Sequence, residues 1–120
     1  MAIEKVSLDA KLALFSEHWA PRLIGRLNDY EIKVVKVQGE FPWHQHDDTD
    51  EYFQVLDGTL TIDTPDGAVV LRPRETVTIP AGVRHRPRAE HEASVLLIEP
   101  AGVSNTGDAG GPMTMAPRPL

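Results

Sequence analysis

Residues 39–58 read GEFPWHQHDDTDEYFQVLDG, with His44 and His46 two positions apart, Glu51 five residues further on, and an Asp57-Gly58 turn at the end. On a strand, residues i and i+2 project to the same face, so the two imidazoles can reach one point in space. Residues 79–89 read IPAGVRHRPRA and supply a further donor, His85, just after a Pro80-Ala81-Gly82 turn. Neutral imidazole is the commonest biological metal ligand, and a carboxylate beside it makes a site for a borderline divalent ion. His44, His46, Glu51 and His85 are therefore the candidate ligands of one divalent transition metal. Fe, Mn, Ni, Cu and Zn all accept this donor set.

The rest of the composition narrows the field. The chain has 120 residues, one domain's worth, with no internal repeat. It contains no cysteine, which excludes disulfide frameworks, thiolate zinc sites and cysteine nucleophiles and leaves only nitrogen and oxygen to hold a metal. Twelve Lys and Arg against eighteen Asp and Glu is the wrong sign for a general phosphate-backbone binder, so nucleic acid is not an expected partner. The longest aliphatic run, Val95-Leu96-Leu97-Ile98, falls far short of the ~20 residues of a membrane helix, so no membrane association is expected. The N-terminal residues carry acids and lack a signal-peptide apolar core, and the expected location is cytoplasmic.

Along the chain, Ser7 is a candidate N-cap and Leu8, Leu12 and Phe15 follow at helical spacing, which predicts a short amphipathic helix from Leu8 to Glu17. His18, just beyond it and far from the other donors, is expected to cap or pack rather than ligate. From Tyr30 the period becomes strand-like: Glu31–Gln38, Glu51–Leu56, Thr59–Thr64, Ala68–Leu71, Thr76–Ile79 and Ser94–Glu99 are separated by Asp-Gly, Pro-Asp-Gly, Arg-Pro-Arg and Pro-Ala-Gly turns. Many short strands after one helix predict an all-β antiparallel sandwich or barrel. Parity places Phe53 and Val55 on the inner face with Glu51, and Pro87 and Ala89 on the face of His85, while Arg84, Arg86 and Arg88 point outward. Glu31–Gln38 and Ser94–Glu99 carry apolar residues on both faces, which predicts a second buried surface and, most simply, a homodimer. Residues 1–29 are read as helix and lead-in, 30–100 as the barrel, and 101–120, rich in Gly, Pro, Ser, Asn and Thr, as an irregular tail.

These two stretches resemble the cupin superfamily of jelly-roll barrels (double-stranded β-helices). The first cupin motif, G-x5-H-x-H-x3,4-E-x6-G, is matched by Gly39, His44, His46, Glu51 and Gly58 with one residue fewer after the first glycine. The second, G-x5-P-x-G-x2-H-x3-N, is matched by Pro80, Gly82 and His85, whereas Arg74 replaces the opening glycine and Ala89 the closing asparagine. A non-glycine residue at positive φ costs about 1 kcal/mol or more, so a different turn type is expected at Pro73-Arg74-Glu75. The chain resembles small single-domain bacterial cupins often labelled mannose-6-phosphate isomerase-like. The resemblance implies a metal held by the two motifs with coordination positions left open for a small-molecule substrate.

The expected interior residues Phe53, Val55, Leu60, Ile62, Val77 and Ile79 are almost all apolar, and the arginines that would hold a phosphate face outward. Such a pocket suits oxygenase-type or Lewis-acid chemistry on a small substrate better than a phosphosugar isomerase. A non-catalytic, metal-stabilised binding or sensor module is the alternative from another class. Trp43 and Tyr52 are expected at a rim or subunit contact, and His91, between Glu90 and Glu92, in a solvated turn.

Overall fold

A computed structural model describes residues 2–120. One short helix, α1 (Leu8–Leu12), is followed by eight strands: β1 (Arg22–Leu27), β2 (Tyr30–Glu40), β3 (Glu51–Asp57), β4 (Leu60–Thr64), β5 (Gly67–Leu71), β6 (Thr76–Ile79), β7 (Arg86–Pro100) and β8 (Arg118–Pro119). Among the described residues no helix is long and apolar enough to cross a membrane.

The long strand β7 makes the sheet close on itself. It pairs antiparallel with β2 along most of its length, while its other edge is shared. The first residues of β7 pair with β4, Thr61 facing Arg88 and Asp63 facing Arg86, and the last pair with β3, Tyr52 facing Ile98 and Val55 facing Val95. Between these two halves the register against β2 slips, where the exposed Glu90, His91 and Glu92 bulge outward. A bulge raises local twist and bends a strand, and here it lets one strand serve both ends of a jelly-roll barrel. The other strands follow as β5-β4-β7-β2-β1-β8, with β6 on the free edge of β3.

The parity expected from sequence holds. Glu51, Phe53 and Val55 of β3 are buried while Tyr52, Gln54 and Leu56 are half-buried, and His85, Pro87 and Ala89 are buried in alternation with the arginines. Leu60, Ile62 and Ile79 join Phe53 and Val55 in the core, with Val77 packed against it. Arg86 and Arg88 both donate to Asp63 Oδ2 on the outside of the barrel, at 2.8 Å from Arg86 Nη2 and from Arg88 Nε. The Arg86 guanidinium also lies 5.4 Å from the centre of the Trp43 ring.

Several expectations are corrected. The helix ends at Leu12 rather than Glu17 and buries none of its residues fully, so little packing supports a longer one. Phe15 is instead held in non-helical chain, its ring 4.9 Å from Lys36 Nζ and its carbonyl accepting from that amine at 2.7 Å. The lead-in thus covers part of the outer face of β2, where Val34 is fully buried. His18 packs at the surface against Glu92, 2.7 Å away. Strand β1 escapes the sequence reading because RLIGRL shows no alternation and its pairing with β2 is irregular at Gly25.

The residue tail 101–120 is irregular over most of its length but is tied down. Thr106 is fully buried and its hydroxyl meets that of Thr114 at 2.6 Å, and Arg118–Pro119 adds a short parallel strand beside β1.

The turn at Arg74 also departs from expectation. Arg74 has φ 74°, and Glu75 N–H donates to Arg72 O at 3.0 Å. With Pro73 second in the turn and a positive φ third, this is type II geometry, in which glycine is the favoured third residue. The motif's glycine position therefore keeps its backbone conformation although the residue has changed. Replacing the exposed Arg74 by Gly is expected to raise unfolding stability by up to about 1 kcal/mol in urea titration. Gly58→Ala is expected to lower it by about 2 kcal/mol or more, since at φ +78° a Cβ would meet Glu92 O at 2.8 Å. Equal effects of the two substitutions would contradict this account.

Candidate metal centre

His44 and His85 come from separate loops and are joined by the backbone. Each N–H donates to the other residue's carbonyl, at 2.9 Å from His44 and 2.8 Å from His85, an isolated antiparallel bridge that sets the two rings 4.3 Å apart. The Pro80-Ala81-Gly82 turn is stitched to the first motif by Gly82 N–H to His46 O at 2.9 Å and Ala81 N–H to Asp50 Oδ1 at 2.9 Å. Glu51 enters from the first residue of β3, opposite Ile79 of β6. All four residues named from sequence are buried, and one ligand atom from each lies within 4.8 Å of the others. The group could hold a metal ion.

The protonation pattern fits that use. Nδ1 of His44 lies 2.8 Å from Pro42 O and Nδ1 of His85 lies 2.9 Å from Val83 O. A carbonyl only accepts, so each Nδ1 carries a proton and each ring turns its Nε2 inward. His85 Nε2 is 3.2 Å from Glu51 Oε1, and His46 Nε2 is 3.4 Å from the same oxygen in a geometry that makes no hydrogen bond. Lone pairs facing one another in a dry site repel unless a proton or a cation lies among them. One divalent ion would satisfy all four.

Burial is the largest influence on His44 and pushes its pKa down to about 4, against the pull of the Pro42 carbonyl. Burial would also lower His46, but the Glu51 carboxylate beside it outweighs that and raises it. Burial would raise Glu51, yet its contacts with His46 and His85 hold it well below the usual carboxylate range.

A second buried polar group adjoins the first and was not anticipated. Lys33 Nζ donates to Glu99 Oε1 at 2.6 Å, with both side chains almost fully buried. Glu31 stands 4.0 Å from Lys33 and 3.5 Å from Arg26, which leads the charge out to the surface. Burial, then the negative charge of Glu51, raises the Glu99 pKa to about 7 despite Lys33. Glu31 and Lys33 share the inner face of β2 with Val35 and Val37, which follow them at two-residue spacing, and Glu99 lies opposite Glu31 on β7. Two acids and a lysine on one parity set of neighbouring strands was the available signal.

Both groups border one cavity of about 40 Å³, walled mainly by apolar side chains including Trp19, Phe41, Phe53 and Leu97, with His44, Glu51 and Glu99 contributing the polar wall. Trp19 is held at φ 58°, rare for a bulky residue, by N–H to Lys36 O and Nε1–H to Gln38 O, both at 2.8 Å. Asn105 brings the tail to the same cavity.

A β-barrel of this topology with a histidine-glutamate cluster on its inner wall defines a class of small barrel proteins, and the comparisons name it. Residues 32–99, more than half of the chain, match the family described as Cupin domain, and the chain belongs to that family. It is similar to a cupin-2 domain protein of known structure from Shewanella frigidimarina, with 47% identity and a TM-score of 0.79 over 79% of this chain and 93% of that one. It is also similar to the uncharacterized protein YdbB of Bacillus subtilis, 38% identical over 77 residues, 63% of this chain and 68% of the relative. A hydroquinone 1,2-dioxygenase, PnpCD, in complex with Cd2+ and 4-hydroxybenzonitrile, superposes with a TM-score of 0.69 at 19% identity over 85% of this chain and 82% of that one, a likeness of fold alone.

The shifts fix the sign of a pH effect. The raised His46 pKa means that its protonated form gains stability in the metal-free fold, a gain complete below the ordinary pKa of ~6.5 and lost as pH rises through the folded value. The lowered Glu51 pKa adds stability above ~4.3 that is lost only as pH falls towards the folded value. A metal must displace the His46 proton, so affinity for a divalent ion is expected to fall as pH drops through the raised His46 pKa, already above the ordinary ~6.5. Thermal unfolding with and without Zn2+ checks this: the metal-induced rise in Tm should be larger at pH 7.5 than at 5.5. A rise independent of pH would contradict it.

Proposed function

We propose that the protein is a metal-dependent cupin enzyme. In this reading His44, His46, Glu51 and His85 hold one divalent transition metal, and a small organic substrate occupies the adjoining apolar cavity for oxygenase-type or Lewis-acid chemistry. The supporting observation is that four buried donors lie close enough together to share an ion, and that two of them, His44 and Glu51, border a cavity whose other walls are mostly hydrocarbon. A bound ion of this class supplies a Lewis acid or a redox centre. The chain's own part is to hold the protons of His44 and His85 on Nδ1, so that Nε2 stays free, and to exclude water by means of Phe41, Phe53 and Leu97.

A phosphosugar isomerase is less well supported. Arg86 and Arg88 are bound to Asp63 outside the barrel, and the buried Lys33 is paired with Glu99, so a phosphate would find no free cation among the described cavity residues. For assembly, the outer face of β2, β3 and β7 carries half-buried Ile32, Tyr52, Leu96 and Ile98 in register across the three strands. That face supports a homodimer, which light scattering would report as twice the 13.2 kDa chain mass.

Fe2+-loaded protein screened with enol, diketone and phenolic compounds is expected to consume oxygen with at least one of them. Glu51→Gln should lower that rate by about 100-fold or more while the far-ultraviolet circular dichroism is unchanged. If oxygen is never consumed, and Glu51→Gln changes only thermal stability, the oxygenase reading fails in favour of a non-catalytic binding module.

A further inference from the structure

Two buried side-chain atoms lack a hydrogen-bond partner among the described residues, His46 Nε2 and Glu99 Oε2. The first belongs to the candidate metal centre. The second does not: Glu99 comes from the end of β7, with no hydrogen bond to any of the four candidate ligands, and only Oε1 is used, by Lys33. Its side chain is 1% exposed and borders the cavity that His44 and Glu51 also border. The other polar side chains of that wall are already engaged. Trp19 Nε1–H donates to Gln38 O, and Asn105 both donates to Met113 O and accepts from Met115 N–H.

A carboxylate oxygen left bare in a hydrocarbon wall is costly unless something in the cavity donates to it. Lys33, fixed at 2.6 Å, holds the Glu99 carboxylate in place and keeps it from turning away to another partner. We propose that Glu99 is the second polar anchor of the cavity, accepting a hydrogen bond from a hydroxyl or enol group of the ligand. This rests on the metal reading above and narrows it: the ligand is a compact hydroxylated carbonyl or enol compound, one oxygen towards the His44–Glu51 side and a hydroxyl proton towards Glu99. The cavity of about 40 Å³ limits the buried part to a few non-hydrogen atoms. Its apolar walls leave a ligand that brings only acceptors with no partner for Glu99.

The test uses Co2+-loaded full-length protein, whose visible spectrum reports ligation, with hydroxyacetone and its O-methyl ether, methoxyacetone, as probes. The wild type is expected to bind hydroxyacetone at least ten-fold more tightly. Glu99→Gln should shrink that ratio, and the double variant Lys33→Met/Glu99→Leu, which removes both charges together, should abolish it while the Co2+ spectrum of the ligand-free protein persists. Equal affinity for the two probes in the wild type, binding of neither, or an unchanged preference in the double variant would overturn the proposal and leave the metal reading intact. A protein that takes up no Co2+ would overturn both.

Discussion

A small β-barrel must fill its interior with side chains that need nothing from water, and this one admits a histidine-glutamate cluster and a lysine-glutamate pair. The meeting of imidazole nitrogens and a carboxylate oxygen around one point, which only a proton or a cation among them can satisfy, is the constraint on which the rest depends. It is enforced from outside the cluster, by the His44–His85 backbone bridge and by the carbonyls of Pro42 and Val83 that take the imidazole protons. In the metal-free fold a proton on His46 meets part of that demand; a divalent ion in its place would cross-link the two motifs. The other polar links of the loops that carry the donors run from Ala81 and Gly82 and, on the side of the tail, between Gln45 and Asp108.

The same logic explains why the cavity sits where it does. β3 brings Glu51 and Phe53 to the inner wall, β7 brings Leu97 and Glu99, and β2 brings Lys33, Val35 and Val37, so one end of the barrel is polar and the other hydrocarbon. The tail and the lead-in complete it. Gly107 approaches so closely that a Cβ there would collide with Gln45 O, while Asp108 accepts from Gln45 N–H at 2.9 Å, pinning the tail against the loop between the two motif histidines. Segments that carry no motif of their own thus close the site.

Much of this was legible in the residues themselves. The two-residue spacing of His44 and His46, the alternation after Glu51 and the turn ahead of His85 fix a shared inner face through the geometry of strands alone, and the cupin motifs gave the barrel. The rest was hidden for specific reasons. The residues around His91 read as a solvated turn because Glu90 and Glu92 flank it, although they lie within the longest strand and join its two halves. Lys33 and Glu99 look like surface residues because burial of a charge is visible only once its partner, 66 positions away, is placed beside it. Arg74 keeps a left-handed backbone that its identity argues against, since Pro73 and the Arg72–Glu75 hydrogen bond hold the turn.

The most direct measurement is metal stoichiometry by elemental analysis of the purified full-length protein after exposure to a transition metal and removal of the excess. The account predicts one ion per chain in the wild type and none retained when His44 and His85 are both replaced by Ala. A wild type that retains no metal, or a double variant that retains as much as the wild type, would contradict it.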